Sequence, residues 1–594
     1  MARAFVRIVV ASIGFGAVVT ACGSTRDRVP HPAAASPQKD GGITDPSLGE
    51  GGAALGPCSP PALEGAHGLT GCHFVMTALS AATGTFSRVG SGCWALVVSN
   101  PSAERVRLRL RHKGRDASEA REEDASPYAR RAVVGGRDVR YEPLDDGSLG
   151  PRESAVVSAL FVPFYDTDTS QNSVCPTPAF IESREPGARN EQVTPAIELL
   201  SDRPVGVIHA GLFEPDARGR AAVPSRPFPL VPVHLWETSA IETGVFKPGH
   251  PSKLVVQDEH GETYDDPFEP ASTLAMAAFD DTHVQLPTAD GASRSVTLQR
   301  GEVFAHITSE AATGRVAVAD KPVGLITYAG RTLIPWDTPL RLFPDSPPSS
   351  SMALPTRVWG SEYVAVRHGD RWEGRPEEPA WRMLGGADDT VLAYEPYKPM
   401  GAPDRLAKGE LAVFFADAPF VVRSQDEAHR FYFGGTMTAS AYQRQRHEDF
   451  EPYHESRGTG FSVHVLPTAL FEKQYAFFAL PSFPEQSVVL VRARGGGEVR
   501  LDCAGVVGAW EPVGDRFEYT RVRLSGHLYE PVDHAGGRCE AGEHWIESDG
   551  AFWGTVWAWG NTDTNAALNR GTQANAYALP FVAATSRPNP SAQD

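Results

Sequence analysis

Long apolar runs, helical periodicity and positive charge are what this sequence has little of. Its longest apolar stretch, Ile8 to Val19, is interrupted only by small residues and covers 12 positions. That is too short to cross the ~30 Å core of a bilayer as a helix, so a polytopic membrane protein is excluded. No window of 12 or more residues keeps a helical period free of Pro or Gly. Ala117 to Ser126, stopped by Pro127, comes nearest and is expected as a charged loop or short helix. Lys and Arg number 55 against 73 Asp and Glu, a net charge of −18, which argues against nucleic acid as a partner. Phosphate loops are missing too. Arg494-Gly495-Gly496-Gly497 lacks the Lys-Ser/Thr of a P-loop and reads as a hairpin turn, and no GxGxxG or GxSxG motif occurs.

What the chain does have is turns. Among 594 residues there are 57 Gly and 49 Pro, with 41% hydrophobic and 22% charged residues. That balance is globular, and the length implies roughly four domains. Val106 to Arg111 alternates apolar and Arg residues, as a half-buried strand does, and Ser487 to Arg492 fits a more fully buried one. The expected fold is all-β.

Arg3 and Arg7 precede the apolar stretch, as in a secretory signal peptide. Val19-Thr20-Ala21-Cys22 resembles the bacterial lipoprotein box. The resemblance implies a signal peptide over 1–21, cleavage before Cys22 and lipidation of Cys22. The alternative is ordinary cleavage after Ala21, leaving a spare thiol. Two or three acyl chains, at about 0.8 kcal/mol per buried CH₂, make a stable anchor. Gly23 stands where an Asp would retain such a protein at the inner membrane, so the outer membrane or cell surface is expected. Residues 22–57 have almost no large apolar side chain and read as a flexible tether; 583–594 read as a disordered tail.

Six further cysteines remain, Cys58, Cys72, Cys93, Cys175, Cys503 and Cys539. An even set in an exported chain points to three disulfides out of fifteen possible connectivities. Locality pairs Cys503 with Cys539 and, by default, Cys72 with Cys93, which leaves Cys58 with Cys175. With no CxxC or HxxxH spacing, zinc through these thiols is not expected.

One pattern returns four times at intervals near a hundred residues: Ser201-Asp202-Arg203-Pro204-Val205, Asp320-Lys321-Pro322-Val323, Asp417-Ala418-Pro419-Phe420-Val421 and, weakly, Ser548-Asp549-Gly550-Ala551-Phe552. Gly301-Glu302, Gly409-Glu410 and Gly542-Glu543 precede the last three copies. Asp280-Asp281-Thr282 echoes Asp388-Asp389-Thr390. Each copy reads as an acidic turn, a Pro fixing the start of a strand, and a buried β-branched run. The expectation is tandem antiparallel sheet modules over 58–582, divided at 58–215, 216–345, 346–440 and 441–582. They pack as one body of sandwiches or, alternatively, around an axis as in a propeller.

Leu354-Pro355-x-x-x-Trp359-Gly360-x-Glu362-Tyr363, Ala380-Trp381-Arg382, Asp388-Asp389-Thr390 and Gly409-Glu410 carry a resemblance. So do Pro419-Phe420-Val421-Val422, Leu501-Asp502-Cys503-x-Gly505 and Phe552-x-Gly554-x-Val556-Trp557-x-Trp559-Gly560. Together they resemble the IgGFc-binding protein N-terminal domain family, over residues 70 to 582, in the form of a myxobacterial lipoprotein. The resemblance implies a non-enzymatic binding module and supplies no catalytic or contact residues. Trp553 before Gly554 departs from the tighter turn of relatives.

Other clusters read as ordinary structure. Asp166-x-Asp168-x-Ser170 and Asn561-x-Asp563-x-Asn565 lack the Gly and Glu of a calcium loop and read as solvated turns. His447, Glu448, Asp449, Glu451, His454 and Glu455 read as a solvated connection and not as metal ligands. Trp545, Phe552, Trp553, Trp557 and Trp559 read as core, with an aromatic platform for a glycan or peptide as the alternative. The functional expectation is an envelope-anchored adhesion or binding protein for a protein or glycan, without cofactor or metal. A structural matrix component is the first alternative and an extracellular hydrolase the second.

Overall fold

The computed structural model describes residues 57–59, 63, 68–77, 92–114, 119–136, 138–162, 175–182, 191–212, 227–244, 253–257, 263–267, 271–288, 292–308, 313–329, 349–438, 457–458, 460–560 and 576–584. These are built from strands joined by tight turns and short 3-10 turns, paired antiparallel except for Ser154–Val162 with Ile181–Glu182, which is parallel. The residues 1–56, the acidic-aromatic stretch 439–456 and the Asx-rich turns at 166–170 and 561–565 lie outside them.

Each module is organised by one long strand that belongs to two sheets. In the first module this is Ile197–Leu212, in the second Val316–Ala329 and in the fourth Gly542–Trp559. The first half of Ile197–Leu212 pairs with Gly71–Met76 and Leu108–His112, and its second half with Gly92–Ser99 and Phe228–Pro229. Val316–Ala329 likewise pairs first with Glu237–Ile241 and Thr282–Pro287, then with Ala271–Ala277 and Ser349–Met352. Gly542–Trp559 pairs with Glu472–Ala479 and Val499–Leu501, then with Glu485–Ala493 and Ala576–Pro580. A strand that bends from one sheet into the other is how the corner of a sandwich is made.

The repeated Asp-x-Pro step marks that bend, so Pro204 and Pro322 sit inside long strands and not at their starts. The reason is visible in the hydrogen bonds. Asp202 Oδ1 accepts the Arg107 N–H at 2.9 Å and Asp320 Oδ1 accepts the His283 N–H at 2.8 Å, so the acidic side chain caps the neighbouring strand where the ladder breaks. In the third module Gln425 Oε1 does this for the Val391 N–H at 2.8 Å. The third copy is therefore Ser424-Gln425-Asp426, and the echo at Asp417-Ala418-Pro419 is out of register. Here the long strand is split into Phe420–Ser424 and Phe431–Met437.

The other echoes are tight turns. Asp281 and Asp389 have φ of 50° and 57°, and the hydroxyls of the buried Thr282 and Thr390 bond back to Phe279 O and Ala387 O at 2.7 and 2.9 Å. Asp280 and Asp388 cap the N–H groups of Arg300 and Lys408 at 3.1 and 2.9 Å, while Glu302 and Glu410 reach back to Gln299 N and Ala407 N at 2.7 and 2.8 Å. Gly542-Glu543 departs from this pattern: Glu543 accepts the Ser154 N–H of the first module at 3.0 Å.

Four linking strands, Phe228–Pro229, Ser349–Met352, Phe461–His464 and Ala576–Pro580, follow the long strands. Three lead into 3-10 turns, Val233–Leu235, Thr356–Val358 and Thr468–Leu470. The Trp236 and Trp359 indoles close the first two turns on Val231 O and Leu354 O, each at 2.9 Å. The linking strands touch in succession: Val231 N meets Met352 Sδ at 3.2 Å, Ser351 Oγ meets His464 Nε2 at 3.0 Å, the third lies beside the fourth and the fourth beside the first. The two expected arrangements are thus combined, with sandwich-like units closing into a ring around these strands. One continuous apolar core runs from Leu69 to Ala584, and a smaller one built on Leu286, Phe304 and Leu325 fills the second sandwich.

The strand Leu108–His112 follows the alternation read at Val106 to Arg111, with Val106, Leu108 and Leu110 buried. Glu485–Ala493 is buried on both faces. Two expectations are corrected. Residues 121–124 form an edge strand and 126–128 a 3-10 turn, because Leu108–His112 offers an open edge for Arg121–Asp124 to pair with. Ala583–Ala584, placed in the tail, pair with Ala476 and Tyr475.

Candidate functional site

All six cysteines of the folded body are bonded, as Cys58–Cys72, Cys93–Cys175 and Cys503–Cys539. The default pairing of Cys72 with Cys93 and Cys58 with Cys175 is corrected. Cys93 lies opposite Leu212 at the end of the long strand and beside Phe161, whereas Cys72 lies between the Val205 and Leu200 pairings near that strand's middle, so the register keeps the two apart. Cys22 lies outside the described residues.

Where Cys503 meets Cys539, Asp502 and His544 complete a group with the spacing of metal ligands. Its hydrogen bonds assign it another role. His544 Nδ1 lies 3.0 Å from Asp502 Oδ1 and Nε2 lies 2.8 Å from Glu540 O, so both ring nitrogens face acceptors and must donate. Burial opposes the charge, but Asp502 and the Glu540 carbonyl outweigh it and raise the imidazole's pKa. With the sulfur in a disulfide and both nitrogens donating, this is an imidazolium brace. It holds the segment whose Glu540 and Glu543 receive Gly136 N–H and Ser154 N–H, at 2.8 and 3.0 Å, where the ring closes on the first module.

The third module contains a second charged group with no solvent exposure. Arg371 Nε donates to both Glu377 oxygens at 3.0 and 3.1 Å, Nη2 reaches Glu377 Oε2 and Thr438 O at 2.5 Å each, and Nη1 reaches Arg457 O at 2.8 Å. Thr438 Oγ1 adds a bond to Glu377 at 2.5 Å. Burial alone would push Glu377 up, yet Arg371 and His368 hold it at about 2. Desolvation keeps His368 neutral, at about 4, with its ring 5.0 Å from that of Trp557. The carboxylate is fully occupied, so it serves as an ion-pair anchor and has no free lone pair for proton transfer.

A third polar group lies between the second and third modules. Arg382, 2% exposed, donates to Gly244 O at 2.5 Å, and Tyr432 OH bonds His464 Nδ1 at 2.9 Å. Nearby Glu242 accepts from Thr273 Oγ1 at 2.8 Å, and burial pushes its carboxyl up to about 8. Between the first and second modules, Glu198 holds His73 Nε2 at 2.7 Å and Arg300 Nε at 3.0 Å.

The buried ionic groups His544, Glu377 and Glu198 are thus engaged in bracing one module to the next or in bracing a module internally. The aromatic set follows its core reading. Trp545, Phe552, Trp553, Trp557 and Trp559 are all buried, and Trp553 and Trp557 pack with Val364, Trp381, Val489 and Val491 across the seam of the third and fourth modules. Sequence reasoning missed Arg371–Glu377 and Asp502–His544. Asp502 beside a disulfide cysteine was the one available signal; Arg and Glu six residues apart in a polar loop carry none.

The family model described as IgGFc binding protein matches residues 230–558, from just before the 3-10 turn Val233–Leu235 almost to the end of the long strand Gly542–Trp559 of the fourth module. No curated protein and no solved structure matches the chain. The match spans more than half of the 594 residues and all three modules that begin with a Pro-led turn, so the chain belongs to the IgGFc-binding protein family.

Proposed function

We propose that this chain is an envelope lipoprotein, tethered through Cys22, that acts as a non-enzymatic binding or adhesion module for an extracellular protein or glycan. The observation that carries the reading is the family match across residues 230–558, a family named for binding the Fc part of immunoglobulin G. Two features support it. Three disulfides suit an oxidising compartment outside the cytoplasm. The ring, braced by buried ion pairs, gives loops a rigid frame, the arrangement on which recognition is usually built.

The test is an array of proteins and glycans, immunoglobulin Fc among them, probed with the full chain in its oxidised and reduced forms. Saturable binding of one class, lost on reduction, is expected. Binding indifferent to reduction, or self-assembly without a saturable ligand, would overturn the reading, and the second result favours a structural envelope component.

A further inference from the structure

In the oxidised chain the residues around Cys503 form a covalent brace beside a charged one. Opening the disulfide would leave them with the make-up of a metal centre. Val499–Leu501 pairs with Gly542–Trp559, Leu501 opposite Ile546, and Asp502 N–H continues the ladder to Trp545 O at 3.0 Å. That register sets Asp502 and Cys503, just past the end of one strand, beside His544 on the other. The ligand atoms of all three lie within 4.8 Å of one another. Cys539 is bonded to Cys503, so a fourth ligand is already at hand. Among the described residues, neither of the other two disulfides has an acid and a histidine gathered within that distance.

The surroundings suit a closed zinc site. His544 Nδ1 lies 3.0 Å from Asp502 Oδ1. The edge of a tetrahedron with ligands at about 2.0–2.1 Å is ~3.3 Å, so a metal ion can replace the proton between the two atoms with little movement. Nε2 donates to Glu540 O at 2.8 Å, the kind of second bond that fixes the ring of a metal-ligating histidine. Asp502 is held in turn by Cys503 N–H on Oδ1 at 2.7 Å and by Trp545 N–H on Oδ2 at 3.1 Å. Asp502 is exposed and Cys503 half-buried, which gives a thiol reagent and an ion a way in, while Cys539 and His544 are buried.

We propose that the Cys503–Cys539 disulfide gates a Zn²⁺ site that forms on its reduction, with Cys503 Sγ, Cys539 Sγ, His544 Nδ1 and Asp502 Oδ1 as ligands. A dithiol supplies the two electrons. One of its sulfurs attacks Cys503 Sγ and breaks the bond to Cys539; the other attacks the mixed disulfide, so the dithiol leaves as a disulfide and its two protons pass to the cysteines. Zn²⁺ then displaces the protons of both thiols and of His544 Nδ1 to solvent. The two sulfurs part to about 3.8 Å, the edge set by Zn–S bonds of ~2.3 Å. The metal takes over from the disulfide in holding the segment whose Glu540 and Glu543 close the ring on Gly136 and Ser154.

The test uses the full chain, reduced with a non-chelating phosphine and titrated with Co²⁺ as the probe. The reduced parent should show the visible bands of tetrahedral thiolate coordination, and Zn²⁺ should abolish them. It should bind Co²⁺ at least tenfold more tightly than reduced H544Q or reduced C503S/C539S, which keep every other thiol. The oxidised parent should give no such bands. Amide exchange needs no substitution and so does not depend on how the variants fold. Zn²⁺ should slow exchange at Trp545 at least tenfold in the reduced chain and leave it unchanged in the oxidised one. Tetrahedral bands from the oxidised chain, either variant binding as tightly as the parent, or Trp545 exchange indifferent to Zn²⁺ after reduction would overturn the proposal.

Discussion

The ion pair of Arg371 and Glu377 allows a sharp test of what holds the third module. Both side chains are 0% exposed. Replacing Arg371 by Ala leaves Glu377 with the backbone N–H of residue 371 at 3.2 Å, the Thr438 hydroxyl and a neutral His368 whose Nδ1 is 3.9 Å away, and no cation. Stranding a buried carboxylate costs about 3–5 kcal/mol. With an m-value near 3 kcal/mol per M, the urea midpoint should fall by roughly 1–1.7 M, read by fluorescence of the adjacent Trp372 and Trp557. The double change R371M/E377L removes both charges at similar volume and should recover most of the loss. The pH dependence follows from the same geometry. In the parent, Glu377 is depressed to about 2, so its contribution is complete above the ordinary carboxylate range and is lost only as pH falls through about 2. In R371A the carboxyl has lost its cation and takes up a proton more readily, so the deficit should shrink between pH 6 and 4. A loss below ~1 kcal/mol, or a deficit that stays constant over that range, would refute the assignment of Arg371 as the buried counter-ion.

Tyr363 and Tyr475 should behave alike, because the hydroxyl of each accepts a backbone N–H (Gly360 and Glu472) and donates to a long-strand carbonyl (Phe431 and Phe552). Their Phe variants should each lose about 1–3 kcal/mol by thermal unfolding, the cost of buried partners left unsatisfied. Gly314 has φ +84° and an added Cβ would lie 2.3 Å from Gly409 O, so Gly314→Ala should destabilise the seam of the second and third modules, seen as faster amide exchange at both glycines. Reduction of Cys93–Cys175, which closes 82 residues, should cost more than reduction of Cys58–Cys72, which closes 14: about 4.5 against 3 kcal/mol on a chain-entropy reckoning. Non-reducing peptide mapping checks the pairings. For His544, whose pKa is raised, the stabilisation is full below the unfolded value and lost as pH rises through the folded one. His544→Gln should therefore flatten the stability profile above pH 6.

The legible parts of the fold were those written in short segments. Alternation at Val106 to Arg111 and the apolar run at Ser487 to Arg492 specify strands because a strand's two faces see different surroundings over a few residues. The Asp-Asp-Thr and Gly-Glu turns were readable for a related reason: their side chains bond backbone groups within three residues or cap the adjacent turn. Composition, likewise a sum over the chain, favoured short strands over long helices, as the all-β fold bears out.

What the tertiary structure alone decided depends on residues far apart in sequence. Asp202, Asp320 and Gln425 share one task, and the third was hidden because an amide replaces the acid and the strand breaks beside it. Locality along the chain gave Cys503–Cys539, as found, but the pairing of the other four cysteines follows where their strands lie along the long strand, which locality does not encode. Arg371 and Glu377 look like any solvated charges until burial removes their water and makes each the other's counter-ion, and His544 acquires its role only when folding buries it between Asp502 and the Glu540 carbonyl. Ring closure is set last, by Glu540 and Glu543 meeting backbone N–H groups about four hundred residues earlier, since a linear pattern cannot encode where two ends of a body come together.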